Sequence, residues 1–303
     1  MTWQPTRDFV GYGAHPPDPR WPDGARLALN FVLNYEEGSE PSIGDGDGYT
    51  ENRLTDSGVS VTGRDLAAEG MFEYGSRVGF WRIHREFQDR ELPLTVFACA
   101  VALERNPAAT TAIVDAGYDV CCHGLRWVNH TELDEDEERN QIARAVASIT
   151  STMGAPPAGW YCRYGPSTNT RRLLVEHGGF LYDSDSYADE LPYWVDVAGT
   201  PQLVVPYTLT TNDAKMLGAV ATGDAWAASM CDAFDVLYRQ GARAPVMMSV
   251  GLHNRIIGHP ARFAGLLRFL DHVSGHDGVW ITGRDAIARH WALNHPPQRG
   301  GAP

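Results

Sequence analysis

Residues 27–38 read LALNFVLNYEEG, an apolar run that ends in two carboxylates and a glycine. A run of this length, bounded by turn residues, reads as a buried strand over 27–34. The residues at its carboxyl end decide between two architectures. A doubly wound dinucleotide fold places GxGxxG directly after its first strand, where backbone N–H groups can meet a pyrophosphate. Here Asn34, Tyr35, Glu36, Glu37 and Gly38 stand instead. Polar side chains at the carboxyl end of a strand favour a barrel, because barrels assemble their sites from such ends at one face.

The rest of the chain extends this pattern. Further strand candidates lie at 94–98, 118–122, 180–182, 203–207, 246–252 and 279–282, which makes seven, with a short additional one at 159–162. Helical periodicity covers 74–87, 131–152, 169–177, 225–240 and 261–274. In the second of these Thr131 is placed to cap, with Asp134 at the capping-box position and Ile142, Val146 and Ile149 as an apolar stripe. Alternating strands and helices predict an α/β chain with a mainly parallel sheet. Residues 38–58, rich in Gly, Asp and Ser, read as a long functional loop. Its GDGDG run does not make an EF-hand, since position 12 counted from Asp45 is Asp56 rather than Glu. Residues 1–294 read as a single domain and 295–303 as a fraying tail.

Composition narrows the function. The 303 residues include 38 acidic side chains against 25 Lys and Arg, a formal charge of −13, with mean hydropathy −0.30. That balance opposes nucleic acid and anionic membrane as partners, both of which demand clustered cations. A small-molecule substrate fits better. The five cysteines form neither a CxxC pair nor an even framework, so they read as reduced thiols in a cytoplasmic protein. The N-terminus has no basic start followed by an apolar segment, and there is no uncharged apolar run of 18 residues.

The chemistry lies at the strand ends: Glu36 and Glu37 after the first strand, His123 after the third, Arg163 near the short one, Asp183 and Asp185 after 180–182, and His253 in the run SVGLH. In a barrel these converge. Adjacent carboxylates on a strand point to opposite faces, so only one of Glu36 and Glu37 need enter the site. Glutamate with histidine suits acid–base hydrolysis, in which a carboxylate takes a proton from water and an imidazole protonates a leaving nitrogen. Zinc needs three spaced ligands, and Trp127 stands where an HxxxH pair starting at His123 would place its second histidine. No GxSxG elbow is present. Cys122 neighbours His123, but strand neighbours point apart, so it reads as buried packing. Tyr35, Trp127, Trp160 and Trp194 are candidates to wall a pocket.

With these residues in view, the chain resembles the polysaccharide deacetylase superfamily, and within it the branch that contains cofactor-independent allantoinase. The resemblance is carried by RDFVGYGAHPPDPRWPDGARLALNFVLNYEEGSE, EYGSRVGFWRIHREF, CHGLRW, GWYCR, MMSVGLHNRIIGHPAR and ITGRDAIARHW, among other stretches running almost end to end. It implies a distorted (β/α) barrel with about seven parallel strands, assembled as a homodimer or homotetramer. It also implies hydrolysis of a C–N bond in a small cyclic amide, ureide or imide. Metal-dependent members carry paired aspartates where Tyr35-Glu36-Glu37-Gly38 stands here, and a second histidine where Trp127 stands. The resemblance thus implies catalysis by Glu36, Glu37, His123 and His253 without a metal. Tyr35, Trp127, Arg163 and Asp185 are expected to bind substrate. GWYCRYGPSTNTRR departs from the allantoinase form of that stretch, bringing Arg163 and Tyr164 to the mouth. The alternative is a zinc-dependent N-deacetylase of an N-acetyl sugar, with Glu37 and His123 as ligands.

Overall fold

The computed structural model describes residues 7–57, 61–218 and 220–297. From position 298 the expected tail lies outside the described residues. Along the chain the elements are β1 (Leu27–Tyr35), α1 (Leu66–Tyr74), α2 (Phe80–Asp89), β2 (Thr95–Ala98), α3 (Ala100–Arg105), α4 (Pro107–Asp115) and β3 (Asp119–Cys122). Next come α5 (Glu135–Met153), β4 (Gly159–Trp160), α6 (Thr170–His177), β5 (Tyr182–Asp183), β6 (Tyr193–Val197) and β7 (Thr200–Val204). The chain continues through α7 (Gly223–Gln240), β8 (Val246–His253), α8 (Pro260–Ser274), β9 (Val279–Ile281) and α9 (Arg284–Asn294).

Alternation along β1 divides the molecule into two sides. Leu27, Leu29, Phe31, Leu33 and Tyr35 join the core between sheet and helices, with Phe72, Phe80, Ile83 and Phe87. Ala28 and Val32 face the barrel interior, where they meet Phe97, Cys121, Tyr161, Tyr207 and Met247. Glu36, four residues beyond Val32 at this period of two, continues the inward row off the strand end.

The pairing is parallel and curls around. β8 runs beside β1 from Leu27 opposite Val246 to Asn34 opposite His253. On the other flank β2 takes the upper half of β1 and β9 its lower end. The sheet continues through β3, β4, β5 and β7, with β6 antiparallel at the edge. Between β7 and β8 the wall is completed by an isolated bridge from Asn212 to Gly251, and the Thr211 hydroxyl donates to the Ser249 carbonyl at 2.6 Å. Gly251 is required there, because an added Cβ would collide with the Asn212 amide and the Tyr207 hydroxyl. The result is a distorted (β/α) barrel.

The interior is a filled core, polar in its middle. Arg284, wholly buried at the start of α9, donates to Ser184 and Ser249 hydroxyls and to the Val205 and Pro206 carbonyls. Ile287, Ala288 and Trp291 of the same helix close the lower end. Only the upper end is left to build a site.

Several expectations need correction. Among the described residues all seven strand candidates and the short one at 159–162 form strands, and the addition is the hairpin strand β6, which lies in a stretch without clear alternation. The helix expected over 74–87 is interrupted by a π-type turn at Gly75–Gly79. Asp134, not Thr131, caps α5, accepting from the Glu137 N–H at 2.8 Å, while Thr131 lies in a preceding 3₁₀ turn. Among the described residues no helix is long and apolar enough to cross a membrane. The five cysteines are unbridged.

Candidate active site

The strand ends bring Glu36, His123 and His253 together. His123 follows β3, and its backbone N–H donates to the Ala98 carbonyl at 2.8 Å, extending the ladder by one residue. Its Nδ1 lies 2.8 Å from the Tyr161 carbonyl, which only accepts, so that nitrogen carries hydrogen and Nε2 faces Glu36 Oε1 at 3.2 Å. The ring stacks on Tyr161 at a centroid distance of 5.1 Å. His253 ends β8 with Nε2 3.7 Å from the same Glu36 oxygen. One carboxylate oxygen thus sits between two imidazoles.

Asp213 orients His253. Its Oδ1 lies 2.6 Å from His253 Nδ1, and Oδ2 accepts from the His253 N–H at 2.7 Å and the Ile257 N–H at 3.2 Å. Burial pushes the imidazole's pKa down, but the Asp213 and Glu36 charges outweigh it and leave the value raised. Asp213 is supplied by the segment that completes the wall between β7 and β8. Sequence reasoning missed it, since nothing in TTNDAK reveals a partner 40 residues away.

Arg255 is the second residue that sequence reasoning missed. Its guanidinium lies between the adjacent glutamates, donating to Glu36 Oε2 at 2.7 Å and Glu37 Oε1 at 3.1 Å, and to the Leu54 carbonyl at 3.0 Å. Burial drives the Glu36 carboxyl up, yet Arg255, His253 and His123 together hold it well below the usual carboxylate range. The helix side makes room for this loop by glycine. A Cβ at Gly79 would strike the Asn254 carbonyl, and one at Gly75 would approach the Arg255 N–H and the Glu37 carboxylate.

Glu37 turns away from the imidazoles. Its Oε2 accepts from the Asn254 amide at 2.9 Å, and with Phe72, Ser76 and Asn106 it lines a cavity of about 190 Å³. Tyr35 also lies outside the cluster: it packs edge-on against Phe80, with its hydroxyl 3.4 Å from Ser76. The expectation that Tyr35 walls the pocket fails because its alternation partner Glu36 takes the inward direction. Trp160 is sheet core bonded to Cys162 Sγ, and Trp194 reaches the His295 carbonyl at the far side.

Trp127 and Arg163 do meet. The guanidinium lies 3.7 Å over the indole, donates to the Trp127 carbonyl at 2.7 Å, and pairs with the buried Glu51. Glu51 and Leu54 both belong to the long loop, which therefore folds across the strand ends. Its aspartates are engaged by arginines, Asp45 by Arg105 and Asp47 by Arg126. Asp185 accepts from the Cys162 N–H at 2.7 Å, while its Oδ2 is buried without a partner among the described residues. Burial, followed by the neighbouring Asp183 charge, pushes its pKa up to about 7. Asp183 itself is clamped by Arg171.

A divalent ion at this place needs carboxylate oxygens and imidazole nitrogens that are open to it. Glu36 and Glu37 instead share a guanidinium, and the indole of Trp127 packs against that same guanidinium. Glu37 and His123, the pair expected in the zinc-dependent alternative, do not turn toward a common point: Glu37 is tied to Asn254 and Arg255, His123 to Glu36 and Tyr161. The donor set does not fit a metal. Among the described residues, three metal-ligating groups converge elsewhere, at Asp235, His272 and His276.

The family model for polysaccharide deacetylase matches residues 65–182. A Schizosaccharomyces pombe protein named as a polysaccharide deacetylase is 39% identical over 317 residues, covering 96% of this chain and 98% of its own. A Pseudomonas aeruginosa structure named as a polysaccharide deacetylase superposes with a TM-score of 0.93 at 47% identity, covering 97% of this chain and all of that one. The structure of Puue allantoinase does so with a TM-score of 0.93 at 46% identity, over 98% of this chain and all of that one. Barrel, strand-end cluster and these likenesses agree: the chain belongs to the polysaccharide deacetylase family.

Proposed function

We propose that this member of a family of C–N bond hydrolases opens a small, neutral cyclic amide, ureide or imide, and does so without a metal. The observation that carries the reading is the Arg255 guanidinium between Glu36 and Glu37, at 2.7 and 3.1 Å, which supplies internally the positive charge a metal would bring. The likeness to Puue allantoinase along the whole chain supports a ring-opening reaction. Neutral substrates are favoured because the cations at the mouth are already matched, Arg255 by two glutamates, Arg163 by Glu51 and Arg171 by Asp183. A substrate carboxylate would have to displace one of these partners at a cost of several kcal/mol.

In this reading Glu36 takes a proton from the attacking water, and His253, protonated and steadied by Asp213, gives one to the departing ring nitrogen. A carboxylate held at so low a pKa is a weak base. Its advantage is that it stays ionised at any working pH and hands the proton to a ring 3.2 or 3.7 Å away without side-chain movement. His123, anchored through Nδ1 to the Tyr161 carbonyl, faces the Glu36 carboxylate through Nε2 and holds it in position. Trp127, covered by the Arg163 and Arg255 guanidiniums, holds Arg163 in place, and we assign Arg163 Nε and Asp185 Oδ2, unpartnered among the described residues, to a ring carbonyl and a ring N–H.

The test is a turnover screen of allantoin, hydantoin, succinimide and dihydrouracil beside N-acetylglucosamine oligomers, with and without chelator. Ring opening that survives chelator and falls about 10²–10⁴-fold in Glu36→Gln is the expected result. The names of the Schizosaccharomyces and Pseudomonas relatives favour the N-deacetylase instead. Activity confined to the oligomers, lost to chelator and restored by zinc, would establish that reading and exclude ours.

A further inference from the structure

We propose that Asp235, His272 and His276 form a surface site for a divalent transition-metal ion of the zinc type, clasping the outer helices α7 and α8. The site lies on the helix layer, away from the strand-end cluster, and it does not depend on the function proposed above. One ligand atom from each residue comes within 4.8 Å of the others. Two imidazoles and a carboxylate are a donor set suited to zinc or its neighbours, with remaining positions left to water.

The surroundings prepare these side chains for a cation. His272 and His276 are four residues apart across the end of α8, so their rings fall on one side of the last turn, with centroids 4.8 Å apart. His276 Nδ1 lies 2.9 Å from the His272 carbonyl. A carbonyl only accepts, so Nδ1 holds the hydrogen and Nε2 keeps its lone pair available, the arrangement a metal-binding histidine needs. The Phe234 ring packs edge-on against both imidazoles, at 5.6 and 5.0 Å, and Tyr238 packs against His276 at 4.9 Å. These aromatic neighbours limit the freedom that binding would otherwise remove.

The helices also point the right way. Gly223 at the start of α7 touches Ala261 and Gly265 at the start of α8, and Asp235 meets His272 near their other ends. They therefore run parallel, and both C-termini, where unpaired carbonyls favour positive charge, lie on the side of the cluster. His272 Nε2 and Asp235 Oδ1 are a hydrogen-bonded pair 2.7 Å apart, so two of the donor atoms already face each other. An ion with bonds of about 2.0–2.1 Å takes the place of that hydrogen bond, spreading the pair to about 3.3 Å for a tetrahedral edge. Asp235, whose side chain is 54% exposed, is free to make that adjustment.

Untagged protein, stripped with chelator and titrated with zinc chloride, tests the site by calorimetry. We expect one zinc per chain and a thermal unfolding midpoint that rises with zinc. His276→Ala and Asp235→Asn should each weaken binding at least about tenfold and abolish the midpoint shift, with circular dichroism and turnover of the metal-free enzyme unchanged. Asp235→Asn keeps the shape of the side chain and serves if the histidine variant fails to fold. Absence of zinc binding at micromolar concentration, or undiminished binding in both variants, overturns the assignment.

Discussion

Arg255→Met removes the charge that lies between Glu36 and Glu37 while keeping most of the side-chain volume. The magnitude is set by the groups that the guanidinium touches. It is fully buried, bonds to two buried carboxylates at 2.7 and 3.1 Å, and holds the long loop through the Leu54 carbonyl. Breaking a buried pair by removing one partner costs about 3–5 kcal/mol, and methionine packing against Phe72 and Trp127 should bring the loss to about 3–4 kcal/mol. Unfolding entropy of about 2.1 cal/mol/K per residue gives about 0.6 kcal/mol/K for a chain of this size. The melting midpoint at pH 7 should therefore fall by about 5–6 °C. The pH dependence is the sharper test. In the wild type the Glu36 pKa is lowered, so its stabilising contribution is present above the unfolded value and is lost only as pH falls through the low folded one. Without Arg255 the largest lowering influence on Glu36 is gone and its carboxyl moves up from the wild-type value, so the variant's penalty is fullest at neutral pH and shrinks as Glu36 takes up a proton in acid. Calorimetric scans at pH 7 and pH 4 should show the gap between the proteins narrowing toward acid. A drop below about 1 °C, or a gap that widens toward acid, would refute the assigned role of Arg255.

Asp213→Asn should move the alkaline limb of kcat/KM to lower pH. Asp213 raises the His253 pKa, activity needing the protonated ring is lost as pH rises through that value, and removing the charge brings the loss earlier; an unmoved limb would take His253 out of the acid role. Gly79→Ala forces a Cβ onto the Asn254 carbonyl and should cost about 1–3 kcal/mol, read as a lower midpoint in thermal scans. Unchanged stability would mean that the Gly75–Gly79 turn is not what positions the Asn254–Arg255 segment.

Legibility in the sequence is set by what is local. β1 is readable to within one residue because its run is almost entirely apolar, and Glu36, His123 and His253 are found as the polar residues that follow apolar runs. Period-two alternation, which sets Tyr35 opposite Glu36, places it on the helix side, so its true position is also written in the sequence. α3 and α4 escape a sequence reading because they are short and share an apolar stretch without a clean stripe, divided only by Asn106-Pro107. β4 and β5 are two residues each and are strands only by virtue of their neighbours. Asp213 and Arg255 are out of reach for a different reason. Asp213 becomes a partner of His253 only when its segment fills the gap between β7 and β8. Arg255 lies 219 positions from Glu36, and nothing in HNRIIG marks which arginine faces inward.

The departures from the metal-binding pattern hang together as one physical unit. A guanidinium placed between two carboxylates needs something over its remaining faces, and Phe72 and Trp127 provide it, with their ring centroids 4.5 and 4.8 Å from the Arg255 carbon. Such contacts are worth about 2 kcal/mol when desolvated. A histidine at position 127 would withdraw the indole face that Arg255 covers and on which Arg163 stacks at 3.7 Å, and would set an ionisable ring beside two buried cations. Tryptophan at 127 and arginine at 255 therefore stabilise each other. Restoring the histidine alone would loosen both arginines without freeing the carboxylates to take an ion, because Arg255 would still hold them. Loss of the metal pattern at one position is consistent with the internal cation at the other, and both leave Glu36 ionised between two imidazoles.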